Sequence, residues 1–226
     1  MRNFRSFTYR PGAFLGTYVQ ISQPIPEVEF GAGAKKMTAT EELSMEHAIV
    51  ARILLAVDNV LARVDGRDNK DVSAIRQAAL MMEDIVANHH MKYEEKYLYP
   101  KFKDTRLSDF VNNSIEQHRQ MKDATMSILK RTMDGSVSGE KELAELRSEC
   151  NSVRDLTLAH AAWEESVLFP EVYSTLSEDD IRDLNENMSK VEHELMDKGG
   201  KAKVFGDLTD LEKKAGTNDL SIYNLK

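Results

Sequence analysis

Cysteine occurs once in the chain, at Cys150. A single thiol excludes an internal disulfide and removes the thiolate metal sites built on paired CxxC motifs. It suits a reducing, cytoplasmic compartment. Long apolar runs are also missing, since no stretch approaches the roughly eighteen consecutive apolar residues needed to span a bilayer. The opening, Met1 to Arg5 followed by Gly12 to Ile21, faintly imitates a secretion signal, but Gly, Thr and Gln interrupt it and no A-x-A site follows, so export is not expected. Positive charge is in deficit, with 30 Lys and Arg against 38 Asp and Glu. The resulting net charge of −8 argues against a nucleic-acid surface and against an anionic membrane, both of which repel such a chain at long range. Proline is scarce, and three of the five, Pro11, Pro24 and Pro26, fall before residue 38. With Gly12, Gly16, Gly31 and Gly33 between and after them, they exclude a helix there and predict an extended N-terminal arm over residues 1–38. The arm carries Phe4, Phe7, Tyr9, Phe14, Tyr18 and Phe30, too many aromatics for a free tail, and is expected to lie on the domain or on a neighbouring subunit of a homo-oligomer.

What the chain does have is helical periodicity. Leu43, His47, Val50, Leu54, Val57, Leu61 and Val64 follow a 4-3-4-3 spacing, the seam of an amphipathic helix in a bundle that starts at Thr38 or Thr40, with Thr40 as its expected cap and Gly66 at its end. A second helix opens near Asp71, runs through Val72, Ile75, Ala79, Met82 and Val86, and closes at Pro100. A third begins near Ser108, with Val111, His118, Met121, Thr125 and Ile128 on one face, and ends before Asp134-Gly135. The fourth starts near Gly139, places Leu143, Leu146, Cys150, Val153, Leu156 and His160 inward, and ends at Pro170. Joined by short turns, these predict an all-α, up-down-up-down four-helix bundle over residues 39–172. Beyond it, residues 173–226 predict a C-terminal helical extension packed on the bundle. Its first helix is capped at Ser177, carries Ile181, Leu184, Met188, Val191 and Leu195 on one face and stops at Gly199-Gly200; a short helical piece follows at 207–214, then a tail with Leu220, Ile222 and Leu225.

A twelve-residue phrase occurs twice. His90-Met-Lys-Tyr-Glu94-Glu95-Lys-Tyr-Leu98-Tyr-Pro100-Lys returns as His160-Ala-Ala-Trp-Glu164-Glu165-Ser-Val-Leu168-Phe-Pro170-Glu, with His, Glu, Glu, Leu and Pro in register at an offset of 70. On a helix, i and i+4 share a face, so each phrase presents an imidazole beside a carboxylate. His47 precedes His90 by 43 residues and His118 precedes His160 by 42, so the two helical hairpins are equivalent in length as well. A lone histidine in an apolar seam is ordinarily a hydrogen-bonded core residue. Four of them, one per helix, with two carboxylates at matched offsets, are better explained by a shared cation that gives every lone pair a partner. Histidine and carboxylate without thiolate suit iron or manganese, and less specifically zinc. The zinc-protease signature HExxH is absent. Six ligands exceed what one tetrahedral ion needs, and two carboxylates can bridge two ions, so the expected site is dinuclear: His47, His90, Glu94, His118, His160 and Glu164.

With these residues in view, His47, His90-x-x-x-Glu94, His118 and His160-x-x-x-Glu164 resemble the hemerythrin-like, or HHE cation-binding, family in its bacterial and archaeal single-domain form. The resemblance covers roughly residues 39–172. It implies a four-helix bundle with a non-haem di-iron centre, the two glutamates bridging two iron ions, and dioxygen, peroxide or nitric oxide as the small ligand. Two departures matter. Oxygen-carrying members have a second histidine one turn after the third-helix ligand, where this chain has Lys122. Their fourth-helix carboxylate lies five residues after its histidine, which would select Glu165; the internal repeat and i+4 geometry select Glu164. His193 is the other candidate for the missing ligand, although it lies nearly opposite the apolar face of its helix, as expected of a solvated residue. His89 would serve only if the register slipped by one. Tyr93 and Trp163, at matching places in the phrases, are expected to pack beside the site, and Cys150 to be a small buried apolar residue. Three functions remain open on sequence: binding or sensing of dioxygen or a related ligand, consumption of peroxide or nitric oxide, and iron buffering or a metal-responsive interaction.

Overall fold

A computed structural model of the chain describes residues 37–64, 69–137, 139–196 and 199–224. The arm over residues 1–36, with the subunit contact expected of it, lies outside the described residues, as do Gly66, Leu225 and the side chain of Leu195. The described residues form helices and turns with no strand among them. Helix α1 is Ala39–Leu61. Helix α2 is a continuous rod over residues 69–102, in which α-helical turns alternate with π-helical Met82–His90 and Glu94–Leu98 before a 3-10 turn at Tyr99–Phe102. Helix α3 is Ser108–Arg131. Helix α4 spans residues 140–175 and contains its own π turn, Glu164–Leu168. Two further helices, α5 (Glu178–Met196) and α6 (Gly200–Ala215), form the extension, followed by a 3-10 turn at Leu220–Tyr223.

The local reasons are plain in the sequence. Thr38, rather than Thr40, caps α1: its hydroxyl accepts from the Glu41 amide while the Glu41 carboxylate accepts from the Thr38 amide, a reciprocal capping box. Thr40 instead places its hydroxyl 2.7 Å from that of Tyr173. Ser177 accepts from the Asp180 amide at the start of α5. Pro170 does not end α4, which continues to Thr175. One residue earlier the Phe169 amide donates to the Glu164 carbonyl, five positions back. The π turn shifts the ladder by one residue and takes the missing amide of proline out of it.

The four long helices close into a bundle in which α1 packs on α2, α2 on α3, α3 on α4 and α4 on α1. Two apolar clusters fill it. One holds Ile53, Val60, Ile75, Leu146 and Leu208; the other holds Leu43, Tyr99, Phe102, Leu168, Leu184 and Met188. Burying each such side chain contributes about 1.5–3 kcal/mol, which lets the fold carry a polar layer between them.

The extension packs mainly on the α1/α2 flank. Tyr93 Oη donates to the Leu184 carbonyl at 2.8 Å, and the Ala39 amide to Asn185 Oδ1 at 2.8 Å, which seats α5. Arg52 forks onto Glu212 with two bonds of 2.8 Å, and Asn59 Nδ2 donates to the Ala215 carbonyl, which seats α6. Helix α6 is longer than the expected piece because Gly199, at a φ of 99°, turns the chain directly into it. The one-sided cover also corrects the matched packing expected of Tyr93 and Trp163. Tyr93 is 1% exposed beneath α5, whereas Trp163, on the uncovered α4, is 60% exposed.

Candidate metal centre

Between the apolar clusters the bundle places six polar side chains in one layer. His47 comes from α1, His90 and Glu94 from α2, His118 from α3, and His160 and Glu164 from α4. Both glutamates are fully buried, and each is the first residue of a π turn, so the widened turn directs each carboxylate toward the bundle axis beside its i−4 histidine.

The ligating atoms fall into two sets of four, His47, His90, Glu94 and Glu164, and Glu94, His118, His160 and Glu164. Within each set, one atom per residue lies within 4.8 Å of the others. The two glutamates belong to both sets. Four nitrogens face inward: His90 Nε2 is 3.3 Å and His118 Nε2 3.4 Å from Glu94 Oε2, while His47 Nε2 is 3.4 Å and His160 Nε2 3.2 Å from Glu164 Oε2. Yet His47 Nε2, His90 Nε2, Glu94 Oε1 and Glu164 Oε2 are buried without a hydrogen-bond partner. Such atoms cost about 1–3 kcal/mol each unless something satisfies them. A pair of cations would satisfy all four.

The outer nitrogens are held from behind. His47 Nδ1 lies 2.9 Å from Glu165 Oε1, His90 Nδ1 2.7 Å from Glu46 Oε2, His118 Nδ1 2.9 Å from Glu95 Oε1, and His160 Nδ1 2.9 Å from Gln117 Oε1. Each acceptor fixes a proton on Nδ1 and turns Nε2 toward the layer, the orientation in which a metal can replace whatever proton Nε2 carries. Glu165 therefore stands behind His47, 40% exposed at its side chain, while Glu164 is in the layer. Lys122 stays outside as well, its Nζ 2.8 Å from Glu95 Oε1. With the hydrogen bond from His118, this holds the Glu95 carboxyl down to about 2. His193 is exposed on α5, away from both sets.

Tyr99 joins the layer although no spacing argument pointed to it. Its hydroxyl donates to Glu164 Oε1 at 2.5 Å and lies 3.2 Å from His118 Nε2. Its ring stacks on His118 at 5.4 Å between centroids. Phe169, at the corresponding place in the second phrase, stacks on His47 at 5.7 Å. The phenylalanine carries no oxygen, so the repeat of histidines and glutamates passes over the tyrosine.

Burial pushes the Glu94 carboxyl up, and burial with the charge of Glu94 does the same to Glu164, but the surrounding imidazoles outweigh this and hold both below the usual range. Burial disfavours a charged imidazole at His90 and His118. The carboxylates of Glu94 and Glu46 for the first, and of Glu94 and Glu95 for the second, still hold both above the ordinary histidine value. The metal-free layer thus keeps protons that a cation must displace. Zn2+ added to the metal-free chain at pH 7 is expected to release about two protons per chain, read with an indicator dye in weak buffer, and uptake is expected to weaken as the pH falls. Zinc binding without proton release would contradict this assignment of charge.

Comparison with known proteins agrees with the geometry. Residues 38–136 match the hemerythrin HHE cation-binding domain. That range contains His47, His90, Glu94 and His118; His160 and Glu164 lie beyond it and enter through the repeat and the packing of α4. Uncharacterized proteins of Mycobacterium bovis and Mycobacterium tuberculosis are each 26% identical to this chain over 188 residues, spanning 83% of it and 74% of the relative. A helical bundle, a layer of histidine and glutamate able to hold cations, and the matched range agree: residues 38–136 are similar to a hemerythrin HHE cation-binding domain, within a helical bundle extended by C-terminal helices.

Proposed function

We propose that the protein is a non-haem di-iron protein whose centre binds or senses dioxygen or a chemically related small ligand. The observation that carries this reading is the pair of four-residue sets sharing Glu94 and Glu164, with unpartnered atoms facing a common interior. His47 and His90 would hold one ion, His118 and His160 the other, with both glutamates between them. Imidazole and carboxylate donors fit two iron ions, with manganese or zinc able to take the same positions. When bound, the iron pair supplies open coordination positions and electrons for a small oxidising ligand. No helix among the described residues is long and apolar enough to cross a membrane. We place the protein in the cytoplasm, where its single buried thiol stays reduced.

The residues around the ions determine how far the chemistry goes. Leu43 and Leu168, both fully buried, help keep water from the layer. A surface cleft of about 400 Å³, lined by Ser44, Glu165 and Phe169 among others, opens beside the outer face of His47 and offers an approach. Tyr99 holds a proton at Oη. Burial and the charges of Glu94 and Glu164 push this phenol well above its ordinary range, so it stays protonated as a donor. That hydroxyl, with Lys122 at the place of the carriers' extra histidine, favours a second reading: an enzyme that consumes peroxide or nitric oxide.

Iron-loaded protein, analysed for iron and followed by absorption under argon, dioxygen, peroxide and nitric oxide, separates the readings. At least two irons per chain with a reversible oxygen-dependent spectrum supports the first. Sustained loss of peroxide or nitric oxide, slowed in Tyr99→Phe at unchanged iron content, supports the second. Iron held without response to any of these ligands supports iron buffering instead. A chain holding no more metal than the His90→Ala/His160→Ala double variant would sink the di-iron reading.

A further inference from the structure

A second convergence of ligand-type atoms lies on the flank that the extension covers. Glu46 comes from α1, His89 from α2 and Glu192 from α5. His89 Nε2 lies 2.9 Å from Glu46 Oε1 and 3.4 Å from Glu192 Oε1. The side chains are 7%, 8% and 18% exposed for Glu46, His89 and Glu192. Despite these short approaches, His89 Nε2 and Glu192 Oε1 have no hydrogen-bond partner. One ligand atom from each of the three residues lies within 4.8 Å of the others, yet the approaches are not aligned as hydrogen bonds. The same signature marks the main layer, where His90 Nε2 is 3.3 Å from Glu94 and equally without a partner.

We propose that Glu46, His89 and Glu192 form a third cation site, for a single divalent transition-metal ion, assembled when α5 docks on the bundle. One imidazole and two carboxylates suit manganese, iron or zinc, with water completing the shell. The remaining oxygens of the two carboxylates are already engaged elsewhere. Glu46 Oε2 accepts from His90 Nδ1 at 2.7 Å, and Glu192 Oε2 pairs with Lys201 Nζ at 3.2 Å. Lys201 in turn reaches Glu42 at 2.6 Å. Each carboxylate therefore has one oxygen fixed and one free to bind. Glu46 also links the third site to the main centre, since it orients the imidazole of His90 with one oxygen and would bind the third ion with the other. The extension then has a chemical role, completing a site that the four-helix bundle alone lacks.

The test loads the full chain with Co2+ alone, removes loosely held ion by gel filtration, and measures cobalt per chain by mass spectrometry. About three ions are expected in the unaltered chain and about two in Glu192→Gln. About three are expected again in Glu192→His, which restores a ligand while removing the carboxylate that a merely ion-paired His89 would need. Circular dichroism checks that the variants fold, and the histidine variant keeps the test decisive if the glutamine variant does not. The dinuclear reading stands or falls separately. Two ions in the unaltered chain and in both variants overturn the third site and leave the main centre intact. One ion, lost in Glu192→Gln, upholds the third site and overturns the dinuclear centre. An unchanged count of three in Glu192→Gln overturns the assignment to Glu192.

Discussion

Glu94→Gln is expected to empty both positions of the main centre at once, whereas His118→Ala or His160→Ala empties one. The difference follows from sharing. Glu94 and Glu164 belong to both four-residue sets, while each histidine belongs to one. The amide of glutamine matches the carboxylate in size but lacks its charge, and one of its two terminal atoms is a hydrogen-bond donor that cannot bind a cation. Outer residues that merely orient a ligand typically change metal affinity by about 10- to 100-fold, so losing a shared ligand is expected to cost at least about 100-fold at both positions. Metal content after gel filtration reads this directly. Loss of only one ion relative to the unaltered chain in Glu94→Gln, or loss of two in His160→Ala, would mean that the glutamates do not lie between two ions.

Stripping the metal with a chelator is expected to lower the unfolding temperature by at least about 10 °C. Ions that bind only the folded chain stabilise it by about 4 kcal/mol per site at a thousandfold excess over the dissociation constant. For a chain of this size each kcal/mol corresponds to about 2–4 °C. Without cations, four imidazoles and two carboxylates share a sealed layer in which four inward atoms have no partner. Thermal unfolding of loaded and stripped protein measures the difference, which should be much smaller in Glu94→Gln. Equal unfolding temperatures would show that the layer is an ordinary buried polar network.

The helices and the six-residue layer were legible because both rest on periodicity. The seam from Leu43 to Val64 marks α1, and the offset repeat aligns His90 with His160 and Glu94 with Glu164. What escaped is what periodicity cannot encode. Tyr99 enters the layer, but its counterpart is Phe169, so a reading based on recurrence discards it. The four outer acceptors differ in type and helix, and only packing brings Glu46 to His90 or Gln117 to His160. The π turns were hidden as well. A 3.6-residue period places His90 and Glu94 on one face but does not report the register shift that follows, which also carries α4 past Pro170. Trp163 was misjudged for a tertiary reason, since nothing in its own phrase says that α5 shelters one half of the repeat and leaves the other bare.

Tyr99 and Phe169, each stacked on a histidine, make the two four-residue sets chemically unlike. The skeleton is nearly two-fold symmetric, yet a phenol oxygen faces His118 and Glu164 on one side and only a hydrocarbon ring faces His47 on the other. The outer acceptors differ too: two carboxylates, Glu165 and Glu46, serve one pair of histidines, and a carboxylate and an amide, Glu95 and Gln117, serve the other. Ions in such a centre would be taken up in order, the more negative side first, and would give up electrons at separate potentials. One molecule could then hold two different metals side by side.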